Sequence, residues 1–312
     1  MNETHRTGAT DPHEERAQAN LAVVAGDTLT PPSRTAPWSR RRRRAVAGSA
    51  ARRGTGAPFG FVPLAVLAVL FLALPLVALV LRAPWSRLPA DLAAPGVLTA
   101  LRLSLVCSLA AVAISLVLGV PLAMLLARVP FKGRNLVRAL VLLPMVLPPV
   151  VGGVALLLAF GRNGVAGQAL DHLFGVTLPF STAGTIVAET FVAMPFLIIT
   201  VEAGIRAMDR RYEDAAATLG AGRWTVFRRV TLPLIAPALG AGAALSWARA
   251  LGEFGATITF AGNLPGSTQT MPLAVYLALQ DDPDAAIALS LVMLAISLTV
   301  LVALRGRWFP SR

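Results

Sequence analysis

Six long apolar stretches leave this chain few folds to choose from. They fall near 59–81, 98–127, 136–160, 183–207, 234–260 and 285–304. A hydrocarbon layer about 30 Å thick is crossed by roughly 20 residues of α-helix, and inside it every backbone N–H and C=O must find a partner within the protein. The expected fold is an all-α integral membrane protein with six transmembrane helices. Composition agrees, with 55% apolar residues, 14% charged residues and a mean hydropathy of +0.67. The first stretch, Phe59–Leu81, comes too late and runs too long for a cleaved secretory signal, so it should stay as an anchor. Pro144, Pro148, Pro149, Gly152 and Gly153 in the third stretch, and Pro195 in the fourth, predict kinked or broken helices there.

Residues 1–58 differ in kind. They are polar, carry 10 Arg against 5 acids, lack apolar periodicity and read as a disordered, basic extension ahead of a membrane domain over 59–312. Within it, the run Arg40–Arg44 suits a topology signal and a contact for anionic lipid better than a nucleic-acid site. The connections fix the expected orientation. The connection over 128–138 has four basic residues (Arg128, Lys132, Arg134, Arg138), that over 206–229 has six, and the tail has Arg305, Arg307 and Arg312. The alternate connections have few: Arg82, Arg87 and Arg102 around the first, Arg162 in the second, and Asp281, Asp282 and Asp284 but no base over 261–284. By the positive-inside rule both termini belong in the cytoplasm.

Enzymatic readings find no support. The chain lacks a G-x-x-x-x-G-K-[ST] phosphate loop, an H-E-x-x-H pair and any His/Cys cluster, so no catalytic or metal-ligating residue is assigned. Cys107 is the single cysteine and can form no intrachain disulfide, and His5, His13 and His172 have no ligand spacing. A secondary transporter would favour inverted repeats, and none is visible.

The connection over 208–233, DRRYEDAAATLGAGRWTVFRRVTLP at its centre, is unusually structured. Ala215, Ala216 and Ala217 favour helix, Glu213 and Asp214 suit a helix N-terminus, and Gly220 can take the left-handed conformation that ends one. A second short helix stopped by Pro233 should follow. The small Ala face permits close approach of a partner groove, while a membrane-surface helix with snorkelling Arg side chains is the plainer alternative.

Asp214-Ala215-Ala216, then Gly220, then Val230-Thr231-Leu232-Pro233 resembles the EAA signature of ABC-importer permease subunits, with Asp in place of the usual Glu and Val in place of the usual Ile. The resemblance implies that Glu213, Asp214, Ala215, Ala216, Gly220, Leu232 and Pro233 form the element that couples to an ATPase subunit, with either Glu213 or Asp214 as the acid that matters. Three further stretches, LLPMVLPPVVGGVALLLAFGRNG (142–164), FSTAGTIVAETFVAMPF (180–196) and RALGEFGATITFAGNLPGSTQTMPLAVY (249–276), are similar to the permease subunits of molybdate importers. Sulfate and thiosulfate permeases share the GEFG-type segment and remain the competing reading, since tungstate, molybdate and sulfate are all tetrahedral dianions. The resemblance, over roughly 98–304, implies a type I importer fold in a bacterial inner membrane and a homodimer. Two separate ATP-binding subunits would use ATP and Mg²⁺ inside, and an anion-binding protein would deliver molybdate outside. No cofactor is expected on this chain, and no nucleic acid.

The fifth stretch holds one oddity. Ser246, Arg249, Glu253 and Thr257 recur at spacings of three and four, which on one helix would make a single polar stripe, amid small residues that include Gly240, Gly242 and Gly252. Intramembrane charges are costly unless paired or facing a wet cavity. Arg249 could pair with Glu253 or with Glu189 of the fourth stretch, as a lock between helices or as part of a substrate path.

Overall fold

The computed structural model of the chain describes residues 61–308, so the basic extension over 1–58 lies outside the described residues. The chain divides into residues 1–67 and 68–312; of the first unit only 61–67, the exposed opening of one helix, is described. No strand occurs among the described residues. The helices are α1 (Phe61–Leu81), α2 (Leu88–Ala93), α3 (Pro95–Arg128), α4 (Arg134–Val146), α5 (Pro149–Phe160), α6 (Val165–Phe174) and α7 (Thr182–Ala207). They continue with α8 (Arg211–Thr218), α9 (Arg223–Val226), a π-helical turn over Phe227–Thr231, α10 (Leu232–Leu234), α11 (Ala236–Leu251), α12 (Gly255–Phe260), α13 (Met271–Asp281) and α14 (Pro283–Trp308).

Four of these helices are long and apolar enough to cross a membrane, and six spans result if each of two bent pairs counts as one. The first pair is α4 with α5, bent by 119°. Here the expectation of a break holds: Pro148 and Pro149 follow Leu147, whose extended backbone (φ −65°, ψ 137°) is the conformation a residue before proline prefers. At Pro195 no break occurs. α7 runs unbroken through it, because its flanks are held by close packing of Leu197, Ile198 and Val201 against Val120, Ala123 and Leu126 of α3. Pro121 is accommodated inside α3 in the same way.

The core sits where α3, α7 and α11 cross. Ala111, Ala193 and Ala250, each fully buried, meet there with little side-chain bulk between the backbones. Gly242 of α11 lies so close to α7 that a Cβ would stand 3.3 Å from the Leu197 carbonyl oxygen.

The fifth apolar stretch is not one helix. α11 ends at Leu251, and α12 starts afresh at Gly255 after the break Gly252-Glu253-Phe254. This break meets the one between α4 and α5. A Cβ on Gly255 would lie 2.7 Å from the Pro149 Cβ, and one on Gly153 would lie 2.6 Å from the Thr259 Cβ and 2.9 Å from the Ala256 carbonyl oxygen. Only glycine allows α5 and α12 to approach this closely.

Besides the helices of the connection over 208–233, three helices fall in connections that hydropathy alone leaves blank: α2, α6 and α13. Asp282 joins two of the surrounding elements. It accepts hydrogen bonds from the Ala285 and Asp284 amides at the start of α14, and an ion pair at 3.2 Å links it to Arg87, just before α2. The Ala285 amide first, then Arg87, and last the Asp284 amide hold its carboxyl below the usual value of 3.8.

Candidate functional site

Two regions carry the residues singled out by sequence. The first is the connection over 208–233. α8 begins with Glu213 and Asp214 in its first turn, where carboxylates oppose the positive end of the helix dipole. It ends on Gly220, at φ +84°. The Gly220 and Ala221 amides donate to the Ala217 and Ala216 carbonyls at 3.0 and 3.1 Å, closing the helix in left-handed fashion.

The two acids part ways in space. Glu213 turns inward: Arg128, the last residue of α3, reaches its Oε2 at 3.0 Å, and the Thr231 hydroxyl donates to its Oε1 at 2.7 Å. Asp214 is exposed, as are Ala215, Gly220 and Pro233, while Ala216 and Leu232 are half-buried. Around them stand large apolar side chains in the open, with Tyr212, Leu219 and Trp224 exposed by 58%, 89% and 71%. The second short helix does not stop at Pro233, contrary to the sequence expectation. The π-turn hands over to α10 without leaving helical backbone, so Pro233 sits within a helical run over Arg223–Leu234, next to the π-turn. The chain turns only at Ile235, by 71°.

Arg128 belongs to a wider basic knot. The Leu126 carbonyl, one of the unsatisfied groups of the last turn of α3, accepts from Arg134 and Arg138 of α4 and from Arg206 of α7, the latter two at 3.2 and 3.4 Å. Glu202 answers two of these cations, pairing with Arg138 at 2.6 Å and with Arg206 at 2.7 Å. In the sequence these bases carry only an orientation signal. The one clue to more was Thr231 inside the VTLP segment.

The second region is the polar group of the fifth stretch. Arg249 Nη1 lies 2.6 Å from Glu253 Oε2. Glu253 Oε1 meanwhile accepts from the Ala256 amide at 2.8 Å, so one carboxylate ties the end of α11 to the first turn of α12. The helical break corrects the single stripe: Ser246 and Arg249 lie on α11, Glu253 in the break and Thr257 on α12. Gly252 ends α11, and the carboxylate caps the new helix; that local chemistry outranks the apparent period. Glu253 is 1% exposed at its side chain and Arg249 28%. Glu189 makes no ion pair with Arg249; it is buried, and its Oε2 has no hydrogen-bond partner among the described residues. Ser246 and Thr257 are likewise buried, with unpartnered hydroxyls.

No group of three or more His, Cys, Asp or Glu side chains suited to a metal ion occurs among the described residues.

A bundle of apolar helices with two bent pairs and an exposed helix–glycine–helix loop is the architecture of a multi-span membrane protein. The chain belongs to the family described as binding-protein-dependent transport system inner membrane component, whose model matches residues 119–311. It is 46% identical over 243 residues to the molybdenum transport system permease protein ModB of Mycobacterium tuberculosis, covering 78% of this chain and 92% of that protein. It is 39% identical over 239 residues to the sulfate transport system permease protein CysT of Escherichia coli, covering 75% and 86%. Among solved structures it is similar to a bacterial ABC transporter involved in the import of the acidic polysaccharide alginate. That match has 18% identity and a TM-score of 0.61, over 86% of this chain and 96% of the other, and bears on the fold alone.

Proposed function

We propose that this chain is the membrane-spanning permease subunit of an ATP-driven importer for molybdate, with tungstate as a second substrate of the same shape and charge. The observation that carries the ATP-driven part is α8: a short helix closed by a left-handed glycine, presenting an exposed Ala face with Tyr212, Leu219 and Trp224. Apolar side chains left in the open inside a strongly basic connection suit a protein groove, and the likeness of this loop to the EAA signature supports assigning that groove to an ATPase subunit. Molybdate rather than sulfate is favoured by the higher identity to ModB than to CysT.

In this reading two copies of the chain enclose the path. Two ATP-binding subunits dock from the cytoplasm, where the basic connections and both termini lie, and use ATP and Mg²⁺; the chain itself holds no cofactor and performs no chemistry. An extracytoplasmic binding protein delivers the oxyanion. The ion pair Arg249–Glu253 serves as a lock between α11 and α12 rather than as a substrate contact, since Glu253 neutralises the Arg249 cation that would attract an oxyanion and also caps α12.

The test is reconstitution with the ATPase subunit and the binding protein in vesicles, following labelled molybdate uptake against excess sulfate. Uptake insensitive to sulfate is expected; uptake abolished by sulfate and spared by tungstate would move the chain to the sulfate class. Replacing the exposed Leu219 by Arg should release the ATPase subunit from the purified complex.

A further inference from the structure

Docking of α8 on an ATPase subunit explains where force enters, but the covalent path onward is poor. From α8 the chain passes Gly220, a one-turn helix, a π-turn and the 71° bend at Ile235 before it reaches α11. Each of these can absorb a displacement. A second route is shorter. Glu213 lies on α8 itself; its Oε1 accepts a hydrogen bond from Thr231 of the π-turn, and its Oε2 is ion-paired at 3.0 Å with Arg128 of α3, a charge contact without hydrogen-bond geometry. Arg128 and Glu213 are largely buried, their side chains 16% and 19% exposed, so the pair is screened far less than a surface contact.

The far end of this strut is anchored. Two residues before Arg128, the Leu126 carbonyl is gripped by guanidinium groups from α4 and α7, and Glu202 clasps Arg138 to Arg206. From there α3 packs along α7 through Val120, Ala123 and Leu126 against Leu197, Ile198, Val201 and Ile205, up to the crossing with α11 at Ala111, Ala193 and Ala250. A displacement of α8 carried by Glu213 thus reaches three membrane helices together.

Resting on the docking of α8 proposed above, we infer that Arg128 is a positioning residue for transport: with Glu213 and Thr231 it forms the strut that carries movement of the docked helix into α3. The division of labour between the neighbouring acids follows. Glu213 faces the membrane domain and transmits; Asp214, exposed, faces the partner.

The experiment compares Arg128→Met, Arg128→Lys and Thr231→Val in the full complex with its ATPase subunits and binding protein. It measures co-purification of the ATPase subunit and molybdate taken up per ATP hydrolysed. Arg128→Met should keep the ATPase subunit bound while uptake per ATP falls several-fold. Arg128→Lys, which keeps the cation, should recover most of the ratio, and Thr231→Val, which spares the ion pair, should lower it less. A wild-type ratio in Arg128→Met overturns the strut, and so does loss of the ATPase subunit from that variant. Should Arg128→Met insert poorly, Thr231→Val decides: an unchanged ratio overturns the strut and a lowered one supports it. Retention of the ATPase subunit by Leu219→Arg sinks the docking reading itself, a result independent of the ratio in Arg128→Met.

Discussion

At the scale of single residues, the pair in the fifth apolar stretch is unequal. Arg249 keeps part of its side chain at the surface, whereas Glu253 is almost wholly buried. Losing the cation therefore strands a buried carboxylate, while neutralising the acid leaves a cation that still reaches out. Arg249→Met should lower the yield of folded protein in detergent sharply, on the scale of about 3 kcal/mol for breaking a buried pair. Glu253→Gln should cost much less, because the amide oxygen can still accept from the Ala256 N–H, and the double variant should recover most of the loss. Yields of the two singles and the double decide it, and a Glu253→Gln loss as large as that of Arg249→Met would reject the account. The sequence made both charges visible and their i,i+4 spacing plain. It did not reveal that Glu253 also caps a new helix, because glutamate is an uncommon cap and a hydropathy window averages straight over Gly252. Glu189 shows the opposite failure: as an acid of the fourth stretch it is a candidate partner for Arg249, yet the structure buries it without an ion pair, an outcome of packing between helices that no local pattern encodes.

At the scale of elements, the loop over 208–233 was the most legible part of the chain. Its helix, its glycine and its acids all follow local rules of propensity and capping, which act over a few residues and so can be read from them. Gly220 gives the sharpest check. Nothing lies within 4 Å of a Cβ placed there, so the cost of a side chain is conformational alone. Gly220→Val should reorient α8 and depress uptake, at roughly 1–2 kcal/mol of backbone strain, whereas Gly220→Asn, a residue that tolerates the left-handed region, should retain most activity. Equal uptake in both variants and wild type would refute the role of this turn. The crossing of α5 and α12 was not legible, since it joins residues far apart in sequence. Here the penalty is steric: Gly255→Ala would press on Pro149 and should lower thermal stability in detergent by about 1–3 kcal/mol equivalent, an effect absent from Gly240→Ala, where no atom lies within 4 Å. On the far side, Asp282 is held below its ordinary value, so its contribution is complete above about pH 4 and fades as pH falls through the lowered value. Asp282→Asn should abolish any such acid-linked loosening of α2, read by hydrogen exchange over 84–94.

At the scale of the whole molecule, hydropathy and charge balance were enough to anticipate an all-helical membrane subunit, because both are sums over many residues and survive errors at any one of them. The number of spans was less secure, since proline counts mislead: Pro148 and Pro149 break a span, Pro195 and Pro121 do not, and the difference lies in neighbours contributed by other helices. Removing residues 1–38 should leave insertion and uptake near wild type, because the Arg40–Arg44 run, the expected orientation signal, is kept; loss of complex assembly after that deletion would assign the segment a docking role. The meeting of the two helix breaks has a further consequence, in time rather than in space. Pro149 and Gly255 are separated by about a hundred residues, which a ribosome needs on the order of ten seconds to add. For that interval Gly153 and Pro149 stay bare of the helix they are shaped to receive, and slow codons placed between the two segments would lengthen this incompletely packed stage.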